Sequence, residues 1–180
     1  FPRKVIEEGG SYNLAFVQVQ DYDLWIRIVK HYPIHIIQER LTNYRWFTTG
    51  ANASAPSEKG IRRANFEFSQ VFCGFFDDIP DELFIEAFGA DFTRKSTTDP
   101  DDLIIERMLL LFKTVFCGVV PQLGGAQKFL SLLQDEKMRG VLRDRYGLTQ
   151  MSFYEITAKP IIYEETVYKA SPPAFAPPKG

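Results

Sequence analysis

The sequence predicts a mainly α-helical protein: a helical domain over residues 56–158, a short α/β segment before it over 1–55, and an extended or disordered tail over 159–180. Three observations carry this. Ile61, Ala64, Phe68, Val71, Phe72 and Phe75 recur at the spacing of one helix face. Asp99-Pro100-Asp101-Asp102 is a helix start, with a capping carboxylate, proline at the first helical position and two more acids in the first turn. The first 55 residues instead mix short helix and strand signals cut by Gly9-Gly10 and Pro33.

Taken in order, Arg3 to Glu8 reads as a short helix stopped by the two glycines. Asp21 can cap a second helix through Tyr22 to Lys30, whose acidic start and basic end suit the helix dipole. Leu24 and Ile28, with Trp25 and Val29 one position on, give it an apolar stripe. Ile34-His35-Ile36-Ile37 reads as a short buried strand and Leu41 to Phe47 as another, with Glu39-Arg40 turning between them. Thr48 to Pro56 is a polar loop.

The helical region begins near Ser57 and its first helix runs toward Asp77-Asp78-Ile79-Pro80; a shorter helix spans Asp81 to about Phe88. The helix opened at Asp99 is apolar almost all round and belongs at the centre, with Pro121 and Gly124-Gly125 expected to break it. Phe129, Leu132, Leu133, Met138, Val141, Leu142 and Tyr146 mark one further amphipathic helix closed by Gly147, and Met151 to Ala158 a last turn or two. Acids at Asp77-Asp78 and Asp99 to Asp102 read as caps and solvated faces.

Composition narrows the function classes. A net charge of −2 with no basic stripe disfavours nucleic acid as a partner. The apolar stretch from Leu103 to Val120 is interrupted by Glu106, Arg107 and Lys113, so no transmembrane span is expected. Cys73 and Cys117 lack a second ligand at metal spacing and read as buried free thiols. His31 and His35 have Pro33 between them and do not share a helix face, which argues against a metal pair. Sixteen Phe, including Phe66, Phe68, Phe72, Phe75, Phe76, Phe84, Phe88 and Phe92, point to an aromatic core. The absence of an initial Met and the opening at Phe1-Pro2-Arg3 are expected of a piece of a longer protein.

The stretch richest in chemistry is Gln20-Asp21-Tyr22-Asp23-Leu24-Trp25-Ile26-Arg27. It resembles the acidic motif, then x-Asp-Leu-Trp-x-Arg, near the end of the catalytic domain in bacterial family 2 glycosyltransferases of the GT-A type. Val5 to Tyr12, with its glycine stop, resembles the segment that precedes this motif; Tyr32 to Leu41 and the Tyr44-Arg45 pair with its polar loop (Asn52, Ser54) resemble the segments that follow. The resemblance implies that residues 1–55 are the C-terminal end of a GT-A domain, a remnant to which 56–158 add a helical extension. It also implies a sugar transferase acting with inversion, from a nucleotide-sugar donor to a glycan acceptor hydroxyl, in bacterial cell-surface polysaccharide or glycan synthesis.

By that resemblance Asp21 is the catalytic general base: a carboxylate in reach of the acceptor hydroxyl takes its proton as the oxygen attacks the anomeric carbon. Gln20, Asp23 and Arg45 are the candidate substrate-binding residues, Arg45 because a guanidinium suits donor phosphates. Asp23 is better suited to bracing the helix start, and Trp25 and Arg27 to tethering the helix against a sheet. Trp46, Phe47 and Thr48 stand where many members place a histidine, which departs from the family pattern.

The resemblance also implies a divalent metal, Mg or Mn, for the full-length enzyme and no metal or cofactor within this stretch. A donor-binding Asp-x-Asp does not occur before Gly10, so the isolated chain is expected to be inactive. It further implies a cytoplasmic location or the inner face of the membrane, and leaves homodimerisation or peripheral membrane association through the helical region open. The alternative reading is a non-catalytic helical interaction or oligomerisation domain, in which residues 1–55 only cap the bundle.

Overall fold

A computed structural model describes residues 2–43, 57–113 and 120–159. Among them the chain forms helices α1 (Arg3–Gly9), α2 (Gln20–Val29), α3 (Glu58–Cys73), α4 (Asp81–Phe88), α5 (Pro100–Lys113), α6 (Val120–Gln134), α7 (Glu136–Tyr146) and α8 (Gln150–Thr157), with a 3-10 turn at Gly89–Asp91. None of these is long and apolar enough to cross a membrane.

Local chemistry sets several boundaries where the sequence places them. Ser57 caps α3 by accepting the Gly60 amide at 3.0 Å. The Asp99 carboxylate accepts the Asp101 amide at 2.9 Å at the head of α5. Gly147 ends α7 in the left-handed conformation, at φ +66°.

Other boundaries differ from the sequence reading. No strand occurs among the described residues, and 33–43 carry no helix or strand. Ile34, Ile36, Ile37 and Leu41 are exposed, because an extended segment becomes a strand only when a neighbouring edge supplies its backbone hydrogen bonds. Leu41 to Phe47 lies partly outside the described residues, as does the tail.

Gly124-Gly125 do not break a helix but lie inside α6. A Cβ on Gly124 would stand 2.8 Å from the Cys73 Cα of α3, and one on Gly125 would stand 2.9 Å from the Phe112 ring of α5. The pair lets α6 wedge between α3 and α5, and that close approach outweighs the low helix propensity of glycine. The single helix predicted through Phe129 and Tyr146 is two, because Asp135 accepts the Met138 amide at 2.8 Å and starts α7.

Three apolar clusters hold the elements together. Val5, Leu24 and Ile28 join α1 to α2. Phe76, Phe84, Phe92, Leu103, Leu110 and Leu111 form a second cluster around α4 and α5. Ile105, Met108, Phe129, Met138 and Leu142 form a third, against which Phe153 and Ile156 of α8 pack. As expected, α5 is central: Leu103, Ile105, Met108 and Leu111 are at most 1% exposed.

The aromatic excess is spent mostly in this interior. Rings run from Tyr22 and Phe68, 5.4 Å apart and edge to face, through Phe72, Phe75 and Phe76 to Phe84, Phe88 and Phe92. Phe66, like Tyr12, Trp25 and Tyr154, is exposed.

The two helix-interior glycines with opposite surroundings give a direct test. Gly124→Ala forces a methyl group onto Cys73 backbone and should lower stability by about 1–3 kcal/mol. Gly140→Ala in α7 meets nothing within 4 Å and should raise it by about 0.5–1 kcal/mol. Thermal melts of the two variants should therefore shift in opposite directions; shifts of the same sign contradict the packing described.

Candidate functional site

Helix α2 carries the predicted site, and its position is set from both ends. At its head, the backbone N–H groups of Val17, Gln18 and Val19 all donate to the Glu67 carboxylate of α3, at 3.0 and 3.1, 2.7, and 3.1 Å. Glu67 is 2% exposed. At its tail, Lys30 donates to the carbonyls of Gly74 and Asp77 at 2.9 and 2.7 Å. Head beside Glu67 and tail beside Gly74 mean that α2 runs parallel to α3. Burial lowers the Lys30 pKa, with the Asp78 and Asp77 charges opposing that effect.

Asp21 is the second residue of α2 and is exposed. It is not the helix cap that the sequence predicts: Val19 occupies that position and no side chain caps it. Glu67 of α3 instead takes the amides of Val17, Gln18 and the cap residue Val19, the turn that leads into the helix. Asp21 Oδ1 accepts the Tyr22 amide at 2.9 Å, and among the described residues Oδ2 makes no hydrogen bond and the carboxylate no ion pair. That arrangement leaves a fixed carboxylate with one oxygen facing solvent. Gln20 beside it is exposed too.

Asp23 is engaged differently. Its Oδ2 accepts from Arg27 Nε at 3.1 Å and from a second guanidinium nitrogen at 2.9 Å, an i,i+4 pair on one helix face. Arg27 also donates to the carbonyls of Gly9 and Ser11, the latter at 2.8 Å. It therefore tethers α2 to the end of α1, whereas the sequence reading placed its anchor on a sheet. Asp23 braces the helix and is occupied by that work. Arg45 lies outside the described residues, as do Tyr44, Asn52, Ser54 and Cys117.

The described residues do not fit a divalent ion. No group of three His, Cys, Asp or Glu is placed to hold one among them. Asp23, the natural companion of Asp21 in such a role, is claimed by Arg27. Cys73 is a free, half-buried thiol whose pKa is raised by burial, which disfavours the thiolate. A cleft of about 330 Å³ lined by Glu8, Gly9, His31 and Tyr32 lies at the tail of α2. Asp21 lies near the opposite end of α2, whose remaining eight residues rise about 12 Å along the axis, so the cleft is a different place from the acidic head.

A second acidic group proves structural. The sequence reading gives Asp99 to Asp102 a solvated face, yet Asp102 is 1% exposed. It accepts from Arg94 and Arg145, each at 3.0 Å, and from the Thr97 hydroxyl at 2.7 Å. Glu106, one turn on and fully buried, accepts the Thr93 and Arg94 amides at 2.8 Å each. Burial pushes the Asp102 pKa up, but the Thr97 and Arg145 hydrogen bonds and the Arg94 charge outweigh it, so the carboxyl lies below the ordinary range. Burial and neighbouring Glu106 push the Tyr146 phenol far up, so it stays protonated and donates to the Asp102 carbonyl.

No family model and no solved structure matches the chain. The chain is similar to an uncharacterized glycosyltransferase of Rickettsia conorii, 30% identical over 99 residues, and to one of Rickettsia felis, 31% identical over 85 residues. Those matches cover 53% and 47% of this chain but only 15% and 13% of the relatives' own length. Likeness to part of two proteins named glycosyltransferase supports a transferase at that general level.

Asp102 gives a pH test of the structural cluster. A carboxylate with a depressed folded pKa stabilises the fold above its unfolded value, near pH 3.9, and that contribution is lost as pH falls through the folded pKa. Asp102→Asn should cost about 1–3 kcal/mol at pH 6, and the gap to the unaltered protein should narrow as pH falls from 6 to below that unfolded value. Urea melts across that range check it; a gap independent of pH contradicts the depressed carboxylate.

Proposed function

We propose that this chain is the acceptor-side, C-terminal portion of a longer family 2 glycosyltransferase of the GT-A type, with Asp21 as its general base. The observation that carries the reading is the exposed Asp21 carboxylate in the first turn of α2, oriented through Oδ1 and open at Oδ2, inside the Gln20-to-Arg27 motif. The likeness to two proteins named glycosyltransferase supports the same class.

In this reading an acceptor hydroxyl gives its proton to Asp21 while its oxygen forms the new bond to the anomeric carbon of the donor. The bond from that carbon to the nucleotide diphosphate breaks on the opposite face, and the configuration inverts. A hydroxyl is a poor nucleophile until its proton has somewhere to go, and a carboxylate at a helix head is held still without being consumed by an ion pair. Gln20 is the neighbouring polar group able to touch substrate, and Arg45 is proposed to reach the donor phosphates. Asp23 acts through Arg27 to hold the helix rather than on substrate, a narrower part than the motif alone implies.

The exposed apolar residues support a larger catalytic domain. Beside Phe66 and Met151 of the helical region, which are as exposed, the segment that resembles the transferase carries Leu14, Val17, Ile36, Ile37 and Leu41, each more than half exposed. We assign them to contacts with the donor-binding part of the whole enzyme, whose sheet would supply the strand pairing that Ile34–Ile37 lacks here. That part would also provide the divalent metal site. Synthesis of a cell-surface glycan on the cytoplasmic side remains part of the proposal and follows the resemblance alone.

In the whole enzyme, Asp21→Asn should lower kcat by about a hundred- to ten-thousand-fold while donor affinity stays within about twofold. Initial-rate transfer assays and donor titration check this. Full turnover in the variant removes the base role and leaves the chain a non-catalytic helical interaction domain.

A further inference from the structure

We propose that Glu67 is a positioning residue for sugar transfer: a carboxylate from the helical region that fixes the Val17–Val19 turn and, through it, the helix turn that holds Asp21. The inference rests on the reading of Asp21 as the base. It assigns to the helical part of the chain a role in the reaction that the motif at α2 does not contain.

The geometry is specific. Glu67 spends both oxygens on three successive backbone amides, Val17, Gln18 and Val19, at 2.7–3.1 Å, and it is 2% exposed. A charge buried that far is tolerated only because those donors replace its water. The last of them belongs to Val19, whose carbonyl in turn accepts the Asp23 amide at 3.0 Å and so closes the first turn of α2. Asp21 sits inside that turn. Any shift of the Val17–Val19 backbone moves Asp21 with it, since the two are joined by peptide geometry and one helical hydrogen bond.

Hydrogen bonds to backbone demand an acceptor, and this dictates what the site will accept. Gln at position 67 keeps the shape, and its oxygen in the Oε2 place can still meet all three amides, but it removes the charge and turns an NH2 donor toward the Val17 amide where Oε1 accepted it, so the turn is held more weakly. Asp keeps the charge but ends one methylene short of the turn. The protein also holds an internal control: Glu106 does the same work for the Thr93 and Arg94 amides, far along the chain from Asp21.

The test uses the whole enzyme with Glu67→Gln, Glu67→Asp and Glu106→Gln, read by transfer rates and by amide hydrogen exchange over residues 17–23. Glu67→Gln should lower kcat about 10- to 100-fold with donor KM within about twofold, and should speed exchange over 17–23. Glu67→Asp should fall between it and the unaltered enzyme. Glu106→Gln should leave kcat within about twofold.

If Glu67→Gln does not fold, the Asp variant carries the comparison, and unaltered kcat in it overturns the role. Equal loss of kcat in the Glu67→Gln and Glu106→Gln enzymes overturns it too, because that pattern reports general loosening. Full turnover in Glu67→Gln while Asp21→Asn is inactive sinks this inference alone; full turnover in Asp21→Asn sinks the base assignment beneath it.

Discussion

A carboxylate withdrawn from water must be met by donors, and the arrangement around Glu67 is the consequence on which the rest of the site depends. Leaving such a charge unpaired costs several kcal/mol, so the chain has to bring N–H groups to it. The Val17–Val19 turn supplies three, and in doing so fixes where α2 begins. Lys30 then repeats the logic with opposite sign at the other end, its ammonium taken up by the Gly74 and Asp77 carbonyls of the turn that follows α3. Two buried or half-buried charges thus hold α2 along α3, where the Tyr22 and Phe68 rings also meet edge to face.

The same device recurs deeper in the helices. Glu106 holds the Thr93–Arg94 turn, and Asp102 gathers Thr97, Arg94 and Arg145. Arg107 closes the pattern by donating to the Phe76 and Ile79 carbonyls while its guanidinium lies 4.1 Å from the Phe84 ring centroid. In this protein the connections between helices are fixed largely by charged side chains reaching backbone groups, while rings and aliphatic side chains fill the space between. Pairings of this kind are demanding in geometry, which is why each turn has a single arrangement to adopt.

What the sequence reveals and what it conceals divide along that line. Ser57, the Asp99-Pro100 pair and Gly147 are legible because a cap is a local bargain between a side chain and amides a few residues away. The apolar period of α3 and the all-round apolarity of α5 are legible for a similar reason. Glu67 is not, since an acid within an amphipathic helix looks the same whether it meets solvent or a turn 50 residues distant. Gly124-Gly125 read as a break because the close approach of α3 and α5 that they permit exists only after folding. Asp102 was misplaced on the surface for want of Arg94 and Arg145, and Ile34–Ile37 read as a strand for want of knowledge of its neighbours. At the site itself, Asp21 and Asp23 stand out in sequence, but the division of work between them depends on Arg27 reaching Asp23, which the motif alone does not show.

That division is the functional core of the account. Of two acids two residues apart, one is bound into a guanidinium and one is open at a helix head, and it is on this difference that we propose the chemistry for Asp21 and the bracing for Asp23. The measurement that tests this most directly is the pH dependence of kcat in the whole enzyme, at saturating donor and acceptor. If Asp21 takes the acceptor's proton, kcat falls on the acid side as one carboxylate is protonated, and the residual rate of Asp21→Asn is flat over the same range. An acid limb that survives unchanged in Asp21→Asn contradicts the account, since the proton would then be leaving to some other group.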